Sequence, residues 1–450
     1  VNGLNYNITS SVYPYTVEVT KNISNNGDNY EGYTSITIPK SVLHNGVKYQ
    51  VTGIGKEAFL YTSVSEFTIP ETVKYIAESA FGGSFELTSI EIPNSVTDIG
   101  SAAFTCSHKL TSVTLGKGVT TIGSLAFMGC RELQSINIPA SVSTISALAF
   151  YDCPKITDVK LNNGLVEIKD QAFSYTNITS IEIPKSVIDL GSGIFSGCNN
   201  LTTMKVAKEN KVYDSRNDCN AIIETHTNTL VAGCGTTVIP NTVSEIGEMA
   251  FDCHDNLTLI NIPNNVKKIN DFAFSESGLT SVKIPESVES IGKLAFSRCK
   301  GLTSIEIPNS VRVIGKKAFE YCYGLTSVKL SDNILNLESS TFYGCEKLKS
   351  IEIPNKVVRI GNHAFYGCKS LASIIIPKST KNIEQYAFCL CTNLSQVTCH
   401  ATEPPICEIK VFEQVPRLNC KLIVPEESVE AYMAANEWRG FYTADGIEGF

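Results

Sequence analysis

The chain has 450 residues, 43% of them hydrophobic and 18% charged, with a net charge of −8 and a pI near 5.5. That balance excludes a disordered chain, and the acidic excess argues against a nucleic-acid binder, which needs cations to neutralise phosphates. No apolar run approaches the roughly 20 residues that a membrane-spanning helix requires.

Residues 1–55 hold strand-like runs, LNYNI, YTVEV, TSITIP and VKYQVTGI, with a polar, turn-rich stretch, NNGDNYEG, between two of them. They are expected to form a β-rich cap. The chain then turns periodic. The dipeptide Ala-Phe recurs with Phe at 59, 81, 104, 127, 150, 173, 195, 251, 274, 296, 319, 342, 365 and 388, and only Phe195 and Phe342 lack the Ala. The steps are 22 or 23 residues, except one of 56 that holds about 33 extra residues. The unit reads L-x-x-I-x-I-P-x-x-V-x-x-I-G-x-x-A-F-x-x-C. The decapeptide LTSIEIPNSV, at Leu87–Val96 and again at Leu302–Val311, is the start of two such units.

Positions four and six alternate as on a strand, and the Pro at seven ends that strand because it lacks a ladder donor. Val at ten and Ile at thirteen fill the interior from the other wall, Gly at fourteen allows a tight turn, and Ala-Phe adds a small residue and a ring. One coil cannot bury these side chains alone, but stacked neighbours can. The expected fold is a β-rich repeat solenoid of the leucine-rich kind, with a 22–23-residue period and about 14 coils. Expected segments are repeats at 56–206 and 238–397 around an insertion at 207–237, all within one continuous structural domain.

The insertion contains CNAIIETHTNTLVAGC. A hairpin turning at His226-Thr227 would place Ile222 opposite Val231 and Cys219 opposite Cys234. A disulfide between those cysteines and a pair of buried thiols both fit that register. The preceding KENKVYDSRND is polar and expected at the surface. Function tends to collect on loops that break a regular scaffold. Lys208, Glu209, Asn210, Lys211, Tyr213, Asp214, Arg216 and Asp218, with Glu224, His226 and Asn228 at the hairpin tip, are therefore the candidate partner-binding residues.

Eight cysteines, 130, 153, 198, 299, 322, 345, 368 and 391, occupy one repeat position and read as a structural thiol ladder. The run Cys253–Asp255 is expected in an exposed polar turn. Outward position five alternates in sign, with Lys160, Glu182 and Lys205 before the insertion and Lys283, Glu306, Lys329 and Glu352 after it. Position three is mainly Ser. The resulting strand face is flat and polar, without an aromatic stripe for sugars or a basic track for nucleic acid.

Residues 398–450 are expected to form a strand-helix cap: ATEPPI breaks the pattern, KLIVP is strand-like and EESVEAYMAANEW helical. Val429, Tyr432 and Met433 would share the buried face of that helix, with Trp438 in the cap core. Cys389, Cys391, Cys399, His400, Cys407 and Cys420 lack zinc-site spacing; a disulfide among them is the other reading. None of the six histidines sits in a nucleophilic or metal-binding signature. No cofactor, metal site or catalytic residue is expected.

The I-P-x-x-V-x-x-I-G-x-x-A-F-x-x-C unit, across about Ser35 to Val397, resembles the BspA-type (Treponema-type) leucine-rich repeat family. Members with similar flanks resemble secreted or surface proteins of Bacteroides-type bacteria. The resemblance implies a secreted or outer-surface location, with lipid anchoring through a removed N-terminal segment as one route. It implies adhesion or protein interaction with host or community ligands, and supplies no catalytic residues. From the residues, a non-catalytic binding module is expected: a monomer with a protein or glycan ligand, no nucleic acid, and no transmembrane segment. A structural spacer and an enzyme with a site in the insertion or caps are the alternatives.

Overall fold

The computed structural model describes residues 3–22, 30, 32–441 and 447–450. Of the turn-rich stretch NNGDNYEG, all but Tyr30 and Gly32 lies outside the described residues. The chain divides into two compact units, 1–226 and 227–450. Each is a β-rich solenoid whose coils have three walls.

The first wall carries the I-x-I strands. Ser89–Glu91 pairs in parallel with Ser112–Thr114, and Ser135–Asn137 with Asp158–Lys160. The second wall is a run of two-residue strands that the sequence did not reveal as strands. In unit 1 Tyr75–Ile76, Asp98–Ile99, Thr121–Ile122, Thr144–Ile145, Glu167–Ile168 and Asp189–Leu190 pair in parallel succession. The inward residues of this ladder are the Ile of the I-G step, so burial of one apolar side chain per coil sets its register. The Gly after it serves close approach rather than a tight turn. A Cβ on Gly123 would lie 2.6 Å from the Gly100 carbonyl carbon of the coil before.

The third wall bears Ala-Phe. In unit 2 the rings of Phe251, Phe274, Phe296, Phe319, Phe342, Phe365 and Phe388 stack within 11° of parallel. Alternate backbone N–H groups on this wall point toward the next coil, while those between them bond within their own coil, as Ser297 N does to Leu294 O. Leu294 N donates to Lys316 O at 3.0 Å, Phe296 N to Ala318 O at 2.9 Å and Arg298 N to Glu320 O at 2.7 Å. That alignment requires left-handed residues on both sides of the Phe, and Leu294 and Arg298 sit at φ 56° and 57°. Each non-glycine residue there costs roughly 1–2 kcal/mol, which the inter-coil hydrogen bonds and ring burial offset.

The four strand-like runs near the N-terminus become strands. Thr16–Thr20 pairs antiparallel with Asn5–Ser10 and parallel with Val47–Ile54, which leads into the second-wall ladder. The units hold about 17 turns, more than the 14 expected. Turns without the Ala-Phe dipeptide add to the count. One contains Val411-Phe412: its ring stacks on Phe388 at 5.5 Å, and Ile406–Cys407 pairs in parallel with Asn382–Ile383. Beyond it Lys421–Val424 pairs with Gln396–Cys399. The helix spans only Val429–Ala434. Tyr432 is buried, but Met433 is 40% exposed, one helical step of about 100° off the buried side, so the expected shared face does not form. Trp438 is fully buried against Phe412 and donates Nε1–H to Pro405 O at 2.9 Å.

Candidate functional site

The outward side chains of the first wall form the broadest regular surface. Ser304, Ser327 and Ser350 lie in register across adjacent strands, all exposed. The alternating charges meet: Lys329 Nζ is 2.5 Å from Glu306 Oε1, and the ammonium holds the Glu306 carboxyl below its ordinary range. Both side chains are well exposed, so the pair chiefly avoids like-charge contact. Two shallow grooves interrupt the face. One in unit 1, of about 610 Å³, is lined by Lys117, Ser135, Asn137, Asp158, Lys160 and Asn162. It lies beside Ser135–Asn137, whose sheet is separate from that of Ser112–Thr114. The other, in unit 2, of about 430 Å³, is lined by Lys329, Asp332, Ser350, Glu352, Asn355 and Ser373 among others.

The insertion is more tightly folded than its polarity suggested. Lys208, Glu209, Lys211, Asp218 and His226 are exposed, while Asp214, Arg216, Glu224 and Asn228 are half-buried. Asn210 and Tyr213 are buried, against expectation. Asn210 Nδ2 donates to the carbonyls of Pro184 and Val187, and its Oδ1 accepts from the N–H groups of Val212 and Tyr213, four bonds of 2.8 to 2.9 Å. The Tyr213 hydroxyl accepts from Leu190 N at 3.1 Å. Both side chains thus take over backbone groups at the edge of the regular coils, where a polar side chain is the available partner. Arg216 grips Asp214 through Nε and Nη2. Tyr213–Asp214 pairs antiparallel with Ile222–Glu224. The arms of the expected Cys219–Cys234 hairpin belong to different units.

Cys219 and Cys234 are both buried. Their bridging is a proposal for the thiol count below. Each of the eight ladder thiols donates to the carbonyl of the preceding coil's Phe, as Cys130 Sγ does to Phe104 O at 3.2 Å and Cys299 Sγ to Phe274 O at 3.1 Å. Ser107 makes the same bond to Phe81 O at 3.1 Å, so the position needs a small buried donor rather than sulfur chemistry. Burial pushes the thiols up, Cys198 to about 11 and Cys299 to about 12, which suppresses the reactive thiolate. In native protein, reaction with Ellman's reagent is expected only at the half-buried Cys106, because burial also pushes the Cys407 thiol far up. In denaturant without reductant sixteen thiols should titrate, or two fewer if Cys219 and Cys234 are bridged. Native reaction of the ladder thiols would contradict the burial.

His254 takes the ladder position in the Phe251 coil and is only 1% exposed, so the expected exposed turn is wrong here. A side chain three residues after the Phe points inward whatever its polarity. Nδ1 is 2.9 Å from Asp252 O and so carries the proton, while Nε2 is buried with no partner among the described residues. Asp255 is the nearby charge, and burial outweighs it to lower the pKa below the ordinary 6.5. A depressed histidine pKa means the unfolded chain takes up the proton first. Its contribution to stability is present above about pH 6.5 and is lost as pH falls below that value. Thermal melts should show Tm falling from pH 7.5 to 5.5, with less of that fall in His254→Ser. An identical profile in the variant would disprove the assignment.

An aromatic stripe does exist, on the third wall of unit 2. Tyr321, Tyr343, Tyr366, His363 and Tyr386 follow one another at ring separations of 4.7 to 5.9 Å. Arg298 lies over Tyr321 and Lys410 over Tyr386. The rings pack in mixed edge and stacked contacts with one another and beneath these cations, and all five are half-buried. Its members lie at different offsets from the Phe, so the repeat alignment does not show the stripe. Among the described residues no three His, Cys, Asp or Glu side chains converge to hold a metal, and no helix is long and apolar enough to cross a membrane.

Stacked 22–23-residue coils, each with a buried Leu, Ile and Phe and a parallel strand on its polar face, define a leucine-rich repeat solenoid. The model of the "BspA type Leucine rich repeat region (6 copies)" matches residues 52–165, 120–223, 232–345 and 312–419. The chain belongs to that family. Among solved structures it is similar to a leucine-rich cell surface protein of Faecalibacterium prausnitzii, at 28% identity and TM-score 0.60, over 89% of this chain and 93% of that one. The pneumococcal vaccine antigen PcpA shares the fold at 19% identity and TM-score 0.53, over 100% and 98% of the two chains. A leucine-rich repeat protein of Eubacterium ventriosum does so at 21% identity and TM-score 0.52, over 80% and 85%. No curated protein matches the chain.

Proposed function

We propose that the protein is a non-catalytic binding module, secreted or held at the outer cell surface by a lipid or other anchor, that engages a protein or glycan of a host or neighbouring cell along its strand faces. The observation that carries this reading is the regular, solvent-facing array of Ser and paired charges with shallow grooves. Such a surface suits an extended partner and offers no pocket with converging acid, base or nucleophile. The similarity to a bacterial cell surface protein supports the location. The insertion surface around Lys208, Glu209, Lys211 and Asp218 is the competing site, favoured by its break in the repeat.

The test is a screen of the purified chain against glycan and host-protein arrays, followed by two variants. Asn137→Arg alters the unit 1 groove, and Lys208→Glu with Lys211→Glu alters the insertion. Loss of binding in the first and retention in the second supports the strand face. The reverse pattern transfers the site to the insertion. We also propose that the units unfold together, since the repeat register resumes after the insertion. One calorimetric transition is expected, and two resolved transitions would refute this.

A further inference from the structure

Unit 1 has a feature at its N-terminal strands that the repeat does not require. The segment Tyr13-Pro14-Tyr15 joins Asn5–Ser10 to Thr16–Thr20. Beside it opens a cavity of about 320 Å³ lined by Tyr13, Tyr15, Lys40, Lys48, Gln50 and Thr72 among others, with no carboxylate in the lining. Tyr15 is anchored edge-on against the buried Tyr49 at 5.6 Å, and Tyr13 meets Tyr15 at 6.4 Å and 85°. That chain fixes the direction of the outer ring, yet Tyr13 remains 88% exposed. An aromatic ring held in water without covering core is available to a ligand.

The polar groups around it are also unspent. Lys48 and Gln50 are two apart on Val47–Ile54 and therefore point to the same face. Neither Lys40 nor Lys48 is ion-paired among the described residues, so both ammonium groups face the cavity unneutralised. A sugar ring presents C–H groups on its face and hydroxyls around its rim. The first suit an aromatic ring, and the second suit Gln50 and the ammonium groups. Two unpaired ammonium groups and no carboxylate select a sugar that carries negative charge.

We propose that this cavity binds an acidic glycan unit, one bearing a carboxylate or a sulfate. A neutral sugar would leave both lysines unused, and an acidic peptide would have no need of Tyr13. The site is separate from the strand-face surface and does not depend on it.

The full chain would be titrated calorimetrically with four probes: a hyaluronan hexasaccharide (carboxylate only), a sulfated galactan hexasaccharide (sulfate only), cellohexaose and hexaglutamate. At least one of the two acidic sugars should bind with a Kd under about 1 mM, and which one identifies the anion. Raising salt from about 50 to about 300 mM should weaken binding, because exposed charges are screened. Lys40→Gln with Lys48→Gln, and separately Tyr13→Ala, should each weaken it at least about tenfold with unchanged Tm, since all three side chains are exposed. The proposal is overturned if neither acidic sugar binds, if cellohexaose or hexaglutamate binds as well as they do, or if either variant retains full affinity.

Discussion

Phe296→Ala is expected to lower the stability of the protein by about 3–5 kcal/mol. The ring is fully buried between Phe274 at 5.3 Å and Phe319 at 5.5 Å, within 11° and 2° of parallel. Its removal takes away the transfer energy of the side chain and leaves a gap that flanking coils cannot close. Their spacing is held by the Phe296 N–H bond to Ala318 O and its neighbours on the third wall. Phe296→Leu, which refills much of that volume, should lose markedly less. Equilibrium denaturation is the measurement, and a loss below about 1 kcal/mol would contradict the stacked-ring account of the core.

Asn210→Ala is expected to cost about 3–4 kcal/mol, more than any exposed insertion residue. It leaves two carbonyls and two N–H groups without their side-chain partner, and an unsatisfied buried group costs about 1–3 kcal/mol. Water reaching some of them keeps the total below the simple sum. Lys208→Ala, Glu209→Ala and Lys211→Ala should each stay within about 0.5 kcal/mol, because these side chains are exposed. A near-neutral Asn210→Ala would mean that the insertion is held by other contacts. The contrast also guides binding experiments: an effect of Asn210 or Tyr213 on affinity would report the fold of the insertion, not direct contact.

The repeat, its period and the inward residues were legible because a solenoid writes the same burial pattern once per coil. Ile99, Ile122, Phe104 and Phe127 could be assigned inward by comparison with their counterparts. The same logic identified the thiol ladder, though not the carbonyls it serves. It misleads where a single coil departs from the unit: by residue type His254 reads as an exposed turn, and its position in the coil buries it. The Phe412 turn lacks the Ala-Phe mark because Val411 stands in place of Ala. The insertion has no second copy to compare with, so nothing in the chain marked Asn210 as buried.

The sequence by itself determined the class of fold, the first-wall strand, the identity of the core and the polar character of the strand face, since each follows from periodic burial of apolar side chains. Only the tertiary structure decided the rest. The second-wall strands are two residues long and exist through pairing with adjacent coils. The left-handed residues beside each Phe are more often Leu, Lys, Arg or Tyr than Gly, so local preference argues against them. They adopt that conformation because it aligns alternate N–H groups, those of the Phe and of the left-handed residues themselves, with carbonyls of the next coil. The unpaired lysines beside Tyr13, and the ring contacts along Tyr321–Tyr386, likewise depend on which distant side chains come together, and no repeat unit records that.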